Sequence, residues 1–209
     1  MSKTALIAGN FEFKYQSKNP ISKKLVNGFI ECFIKNINKV ASPKKILEVG
    51  AGEGYLIEKL YQIFPQSHYT VTDYDDQILS LAKKRLSFIK SNIDFAIADA
   101  HKLQFASQSY DLVICCEVLE HLPDPEVAIK EIHRVLKKGG TALFSVPREP
   151  LWRLLNIIRF HYLKDFGNTP GHLQHFNADK LSNLLTNKNL TIIEVNHPLP
   201  WIMIRCNKS

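Results

Sequence analysis

The chain has 209 residues, 45% apolar and 22% charged, enough for one buried α/β domain and too few for two of ordinary size. With 9 Gly, 10 Pro and no repeat, the composition excludes a fibrous, collagen-like or disordered protein. The formal charge of +7 is localised: Lys3, Lys14, Lys18, Lys23, Lys24, Lys35, Lys39, Lys44 and Lys45 face only Glu12 and Glu31 in the first 45 residues, and the remainder is neutral.

Scattered lysines without Arg–aromatic interleaving read as a solvated face, not as a nucleic-acid surface. Cys32, Cys115, Cys116 and Cys206 lack metal-type spacing, and the adjacent pair lies in an apolar run, as small core residues do. Free thiols, no secretory signal and no apolar stretch of ~18 residues give a cytoplasmic expectation.

Residues 20–40 carry an amphipathic stripe, from Ile21 through Phe29 and Phe33 to Val40, ended by Ser42-Pro43. KILEVG (45–50) is a short strand with a glycine stop, and residues 55–64 are helical up to Pro65. HYTVTD (68–73) is a strand, 77–89 a helix, IDFAIAD (93–99) a strand, and YDLVICC (110–116) a fully apolar strand. Residues 125–136 form a helix that Gly139-Gly140 would cap, and TALFSV (141–146) is a strand.

The rhythm then changes. Residues 150–163 read as a helix, 165–176 as an irregular loop, and 177–187 as a helix capped near Asn177, before strands at 191–197 and 201–206. Apolar strands alternating with helices belong to a parallel sheet covered on both faces. The short link through Pro198 and Pro200 permits only an antiparallel final pair. The expected architecture is a single α/β domain, 1–209, with residues 1–43 as a helical cap and 148–176 as an insertion on the substrate side.

LEVGAGEG (47–54) stands where the first strand turns into the first helix, the context in which a glycine-rich loop binds a ligand. A dinucleotide fingerprint would place its third glycine at 55, where this chain has Tyr55, and Glu48 precedes the first glycine. The pattern E-x-G-x-G-x-G suits a ligand with an amino-acid head and a sulfonium better than a pyrophosphate. Asp73 ends the second strand, nineteen residues after Gly54, where a carboxylate meets ribose hydroxyls. Asp99-Ala100 ends the third strand and Cys116-Glu117 the fourth. In an open α/β sheet these carboxyl ends share one crevice.

The run LEVGAGEG, VTDYD, IADA, FASQSYDLVICCEVLEHLPDPEVAIKEIHRVLKKGG and TALFSVP resembles the class I S-adenosylmethionine-dependent methyltransferases, closely over 44–147 and more loosely beyond. EVLEHL is similar to the small-molecule branch that includes ubiquinone-pathway O-methyltransferases. The resemblance implies a Rossmann-like, seven-stranded, mostly parallel sheet of order 3-2-1-4-5-7-6 with strand 7 antiparallel and helices on both faces. It also implies S-adenosylmethionine as cofactor, with Glu48, Gly50, Ala51, Gly52, Asp73, Tyr74, Asp99, Ala100, Cys116 and Glu117 around it and Tyr15, beside Lys14, closing over it. The N/D-P-P-Y motif of adenine and glutamine N-methyltransferases is absent.

The acceptor expected is a small molecule, methylated at oxygen. His121, His172 and His175 are the candidate bases, since a neutral imidazole suits a hydroxyl nucleophile. Glu117, Glu120 and His121 make a poor metal set, because successive residues of an α-helix diverge; no metal is expected. In the insertion Trp152, Leu155, Ile158 and Tyr162 form an apolar stripe beside Arg148, Arg153 and Arg159, which suits a lid or peripheral membrane contact. The alternatives are an RNA methyltransferase, a cofactor-binding module without catalysis, and a nicotinamide oxidoreductase.

Overall fold

The computed structural model describes residues 19–158 and 162–209. Its centre is one seven-stranded sheet of order β3-β2-β1-β4-β5-β7-β6. The strands are β1 (Lys45–Val49), β2 (His68–Asp73), β3 (Ile93–Ile97), β4 (Tyr110–Cys116), β5 (Leu136–Pro147), β6 (Leu190–Asn196) and β7 (Trp201–Lys208). β1 to β5 pair in parallel, and β7 runs antiparallel to both β5 and β6. The chain order and the reversed strand match the architecture expected from the sequence.

Strand alternation splits the apolar runs between two cores. Leu47, Val49, Val113, Cys115 and Phe144 face α4 (Pro125–Val135) and α6 (Ala178–Asn187). Ile46, Leu112, Ile114, Cys116 and Leu143 face α1 (Pro20–Ile37), α2 (Tyr55–Ile63) and α3 (Asp76–Arg85). Side chains of Asn19, Asp75, Asp124 and Asn177 cap α1, α3, α4 and α6 by accepting first-turn N–H groups. α5 (Leu151–Ile158) follows β5.

One boundary differs in kind from the sequence reading. Gly139-Gly140 does not cap α4; the helix ends on extended Leu136, which already pairs with Tyr110. The register then jumps to Leu112 opposite Thr141, so Lys137–Gly140 bulges out with Gly139 at φ +72°. The terminal carbonyls of His133 and Leu136 accept from Lys208 Nζ on β7, each at 2.8 Å. A lysine from a distant strand does what the glycine pair was expected to do. Other ends differ by a few residues: α1 stops at Ile37, α3 at Arg85 and β3 at Ile97, short of the expected bounds, and β7 runs on to Lys208.

Candidate functional site

The crevice lies at the carboxyl ends of the parallel strands. After β1, Gly50, Gly52 and Gly54 take φ values of +68°, +57° and +77°. At Gly50 a Cβ would collide with Val118 Cγ2, so both backbone angle and space require glycine. Ala51 N donates to Thr72 O at 2.8 Å and Thr72 Oγ1 to Glu48 O at 2.7 Å, binding the loop to the end of β2.

Asp73 completes that join: Gly52 N donates to its Oδ2 at 2.9 Å, and Asp75 N to its Oδ1 at 3.1 Å. Helix capping is done by Asp75, whose Oδ1 accepts from Gln77 N at 2.8 Å. Asp73 is therefore left to the loop and the crevice, and burial raises its pKa above the ordinary carboxylate value. Tyr74 beside it is 77% exposed at the rim.

Glu48 is 1% exposed, and neither carboxylate oxygen has a hydrogen-bond partner among the described residues. Burial, reinforced by the charge of Asp73, pushes its carboxyl well above the usual range. A buried carboxyl without donors needs a reason. A cationic ammonium or sulfonium group nearby supplies one, so the residues present fit the implied cofactor.

At the end of β3, Asp99 Oδ1 accepts from His101 N and meets its ring Nδ1, both at 2.8 Å. The His101 N–H leads the causes that hold Asp99 below the ordinary carboxylate value. Ala100 is buried beside it. Asp99 thus shapes its own loop, the role of a turn acid.

Cys116 is buried at the end of β4, and Glu117 follows at φ +59°. Glu117 is tied down: Trp201 Nε1 donates to its Oε2 at 2.7 Å and Ser145 Oγ to its Oε1 at 3.2 Å. Sequence reasoning missed Trp201 and Ser145. A serine in the apolar run TALFSV was the available signal, because a buried hydroxyl needs a partner.

Leu119–His121 is a single 3-10 turn, and ligand atoms of Glu120 and His121 lie within 4.8 Å of each other despite the divergence expected of successive residues. Leu173 N and Gln174 N donate to Glu120 O at 2.8 and 3.0 Å, pinning the insertion to this turn. His121 and His172 meet edge to face with centroids 5.0 Å apart. His175 belongs to a different cluster: its Nε2 is 2.6 Å from Arg153 Nη2 and its Nδ1 3.7 Å from Glu149 Oε1. Burial and the charges of Arg153 and Lys180 lower its pKa.

In the insertion, Trp152 and Asn156 turn inward. Trp152 Nε1 donates to Thr169 Oγ1 at 2.8 Å, and Asn156 Nδ2 donates to Gly167 O at 2.9 Å. Rings of Phe29, Trp201, Trp152 and His172 follow one another at centroid spacings of 5.1, 5.6 and 6.1 Å. The outward apolar residues of the helix are Leu154, Ile157 and Ile158; of the expected stripe, Ile158 and Tyr162 are exposed, whereas Trp152 and Leu155 are only partly so. Lys14, Tyr15 and Arg159 lie outside the described residues.

Residues 47–144 match the family model described as a methyltransferase domain. This part of the chain is a methyltransferase domain. The domain is similar to the ubiquinone/menaquinone biosynthesis C-methyltransferase of Psychromonas ingrahamii, 28% identical over 79% of this chain and 70% of that protein. It is also similar to the ubiquinone biosynthesis O-methyltransferase of Pseudomonas entomophila, 36% identical over 57% of this chain; the match spans about half of that relative, 52%. A solved S-adenosylmethionine-dependent methyltransferase from Aquifex aeolicus superposes with TM-score 0.71 at 12% identity, over 91% of this chain and 94% of that one. The [4+2]-cyclase SpnF superposes with TM-score 0.70 at 16% identity, over 98% of this chain and 88% of that one. The methyltransferase domain thus has a fold that also carries other chemistry.

Proposed function

We propose that the protein transfers the methyl group of S-adenosylmethionine to an oxygen of a small-molecule acceptor. The observation that carries this reading is buried Glu48 beside the Gly52–Asp73 join, a cradle with two acids and backbone N–H groups, whose loop, residues 47–54, has no basic residue for a pyrophosphate. When bound, the cofactor supplies an electrophilic methyl group.

Asp73 presents acceptor capacity to the ribose hydroxyls, because an ionised carboxylate has about four lone-pair sites and the backbone donors of Gly52, Tyr74 and Asp75 do not fill them. Gly50, Ala51 and Gly52 let the main chain approach the methionine part, and Glu48 offsets positive charge there. Tyr74, Asp99 and Ala100 border the adenine, and Cys116 and Glu117 floor the crevice at β4. Methyl transfer is an in-line displacement, so positioning carries much of the rate. The acceptor hydroxyl loses its proton at the Glu120–His121–His172 end. His175, whose Nε2 meets the Arg153 guanidinium, orients that cation near the acceptor instead of acting as base.

The outward Leu154, Ile157 and Ile158 favour a second reading for the insertion, peripheral membrane contact through 150–163. Co-sedimentation with anionic vesicles tests it, and a triple change of these residues to serine should abolish binding.

Calorimetry with S-adenosylhomocysteine tests the main reading; labelled S-adenosylmethionine with a cell extract then identifies the product. Binding of a nicotinamide nucleotide in its place would sink the reading in favour of an oxidoreductase. Cofactor binding without any labelled product would leave a silent module, and label only in RNA would select an RNA methyltransferase.

A further inference from the structure

Ligand atoms of Glu120, His121 and His172 all lie within 4.8 Å of one another. His121 Nδ1 is 2.9 Å from Gly171 O. A carbonyl only accepts, so Nδ1 carries the proton and Nε2 keeps its lone pair. That Nε2 is buried and has no hydrogen-bond partner among the described residues.

An imidazole oriented through one nitrogen by a backbone carbonyl, with the other nitrogen bare, is the arrangement of metal-ligating histidines. His172 brings its ring edge-to-face, at 73°, instead of stacking. Glu120 adds a carboxyl on a residue only 1% exposed, and its carbonyl locks the turn to the loop that carries His172. Two of the three donors are imidazoles, which selects zinc-, cobalt- or iron-like ions over magnesium or calcium.

We propose that Glu120, His121 and His172 form a binding site for one divalent transition-metal ion. Metal–ligand distances of about 2.0–2.2 Å require the three atoms to draw together slightly, as rotamer adjustment allows. Three protein ligands leave coordination positions for water or an acceptor oxygen. Its use in methyl transfer rests on the function proposed above; its existence does not.

The test uses the untagged full chain, stripped with chelator and titrated with Co²⁺ by visible absorption and calorimetry. One equivalent should bind with ligand-field bands free of thiolate charge transfer, Zn²⁺ should displace it, and millimolar Mg²⁺ should not. His121→Gln and Glu120→Gln should each weaken Co²⁺ at least tenfold with an unchanged circular dichroism spectrum; His172→Ala is the third arm. No uptake by the unmodified chain, or uptake that survives both changes, overturns the proposal. Intact S-adenosylhomocysteine binding without cobalt uptake removes only the ion site, whereas cobalt uptake without S-adenosylhomocysteine binding removes only the methyltransferase reading.

Discussion

Gly52 and Asp73 join the tips of β1 and β2 through one bond, the glycine N–H donating to the carboxylate at 2.9 Å. The acid that would grip a ribose is thus held before any ligand arrives, and the loop that would cover the ligand is held by the same acid. Such preorganisation lowers what binding must spend on ordering.

Replacing Asp73 by Ala removes both roles. The affinity for S-adenosylhomocysteine should fall by at least ~1 kcal/mol, the scale of a charge-assisted hydrogen bond. Isothermal calorimetry reads this directly, and an unchanged dissociation constant would take Asp73 out of the site.

Glu48 makes a pH signature. Its folded pKa lies well above the ordinary 4.5 because of burial first and Asp73 second, so the native state holds the proton more tightly than the unfolded chain. The sign follows: its contribution to stability is complete below about 4.5 and is lost as pH rises toward the folded value. Within that window the slope for one group approaches about 1.4 kcal/mol per pH unit. Ligand-free Glu48→Gln should therefore melt progressively higher than the unmodified protein as pH rises above 4.5. Melting curves for the two that run parallel from pH 4.5 to 8 would refute the burial argument.

The parallel sheet and its reversed strand were legible because apolar runs alternate with helices and because the link through Pro198 and Pro200 is too short for a crossover; the strand order followed only from the resemblance to class I methyltransferases. Long-range partners were not legible. The last carbonyls of α4 are capped by Lys208, 72 residues beyond Leu136, so the local Gly139-Gly140 signal misled. Asp73 and Asp75 carry the same chemistry two positions apart, and only the direction of the chain sorts loop tie from helix cap. At Glu120-His121 the local argument from helical divergence missed His172, which a distant segment of the chain brings within reach of both side chains.

Gly50 allows a test of the loop's geometry. Alanine there must adopt φ +68° and push against Val118 Cγ2. A left-handed non-glycine residue costs of order 1–3 kcal/mol, and overpacking adds about as much. Gly50→Ala should lower stability by ~2–4 kcal/mol in urea titrations, and adding Val118→Ala should recover part of it. Full recovery would mean that the backbone angle contributes nothing; no recovery would mean that Val118 moves aside freely.

Trp201 and Glu117 supply the last test, because 84 residues separate them and one 2.7 Å bond joins them inside the protein. Trp201→Phe keeps the aromatic contacts with Phe29 and Trp152 but removes the indole donor, leaving the carboxylate with one donor fewer. A buried acceptor deprived of its donor costs about 1–3 kcal/mol. Glu117→Ala should cost a similar amount by stranding the Trp201 N–H and the Ser145 hydroxyl. If the bond carries both effects, the double variant will be less destabilised than the sum of the singles, with a coupling of at least ~0.5 kcal/mol. Urea titration of the four proteins measures it, and strictly additive losses would show that Trp201 supports the end of β4 by packing alone.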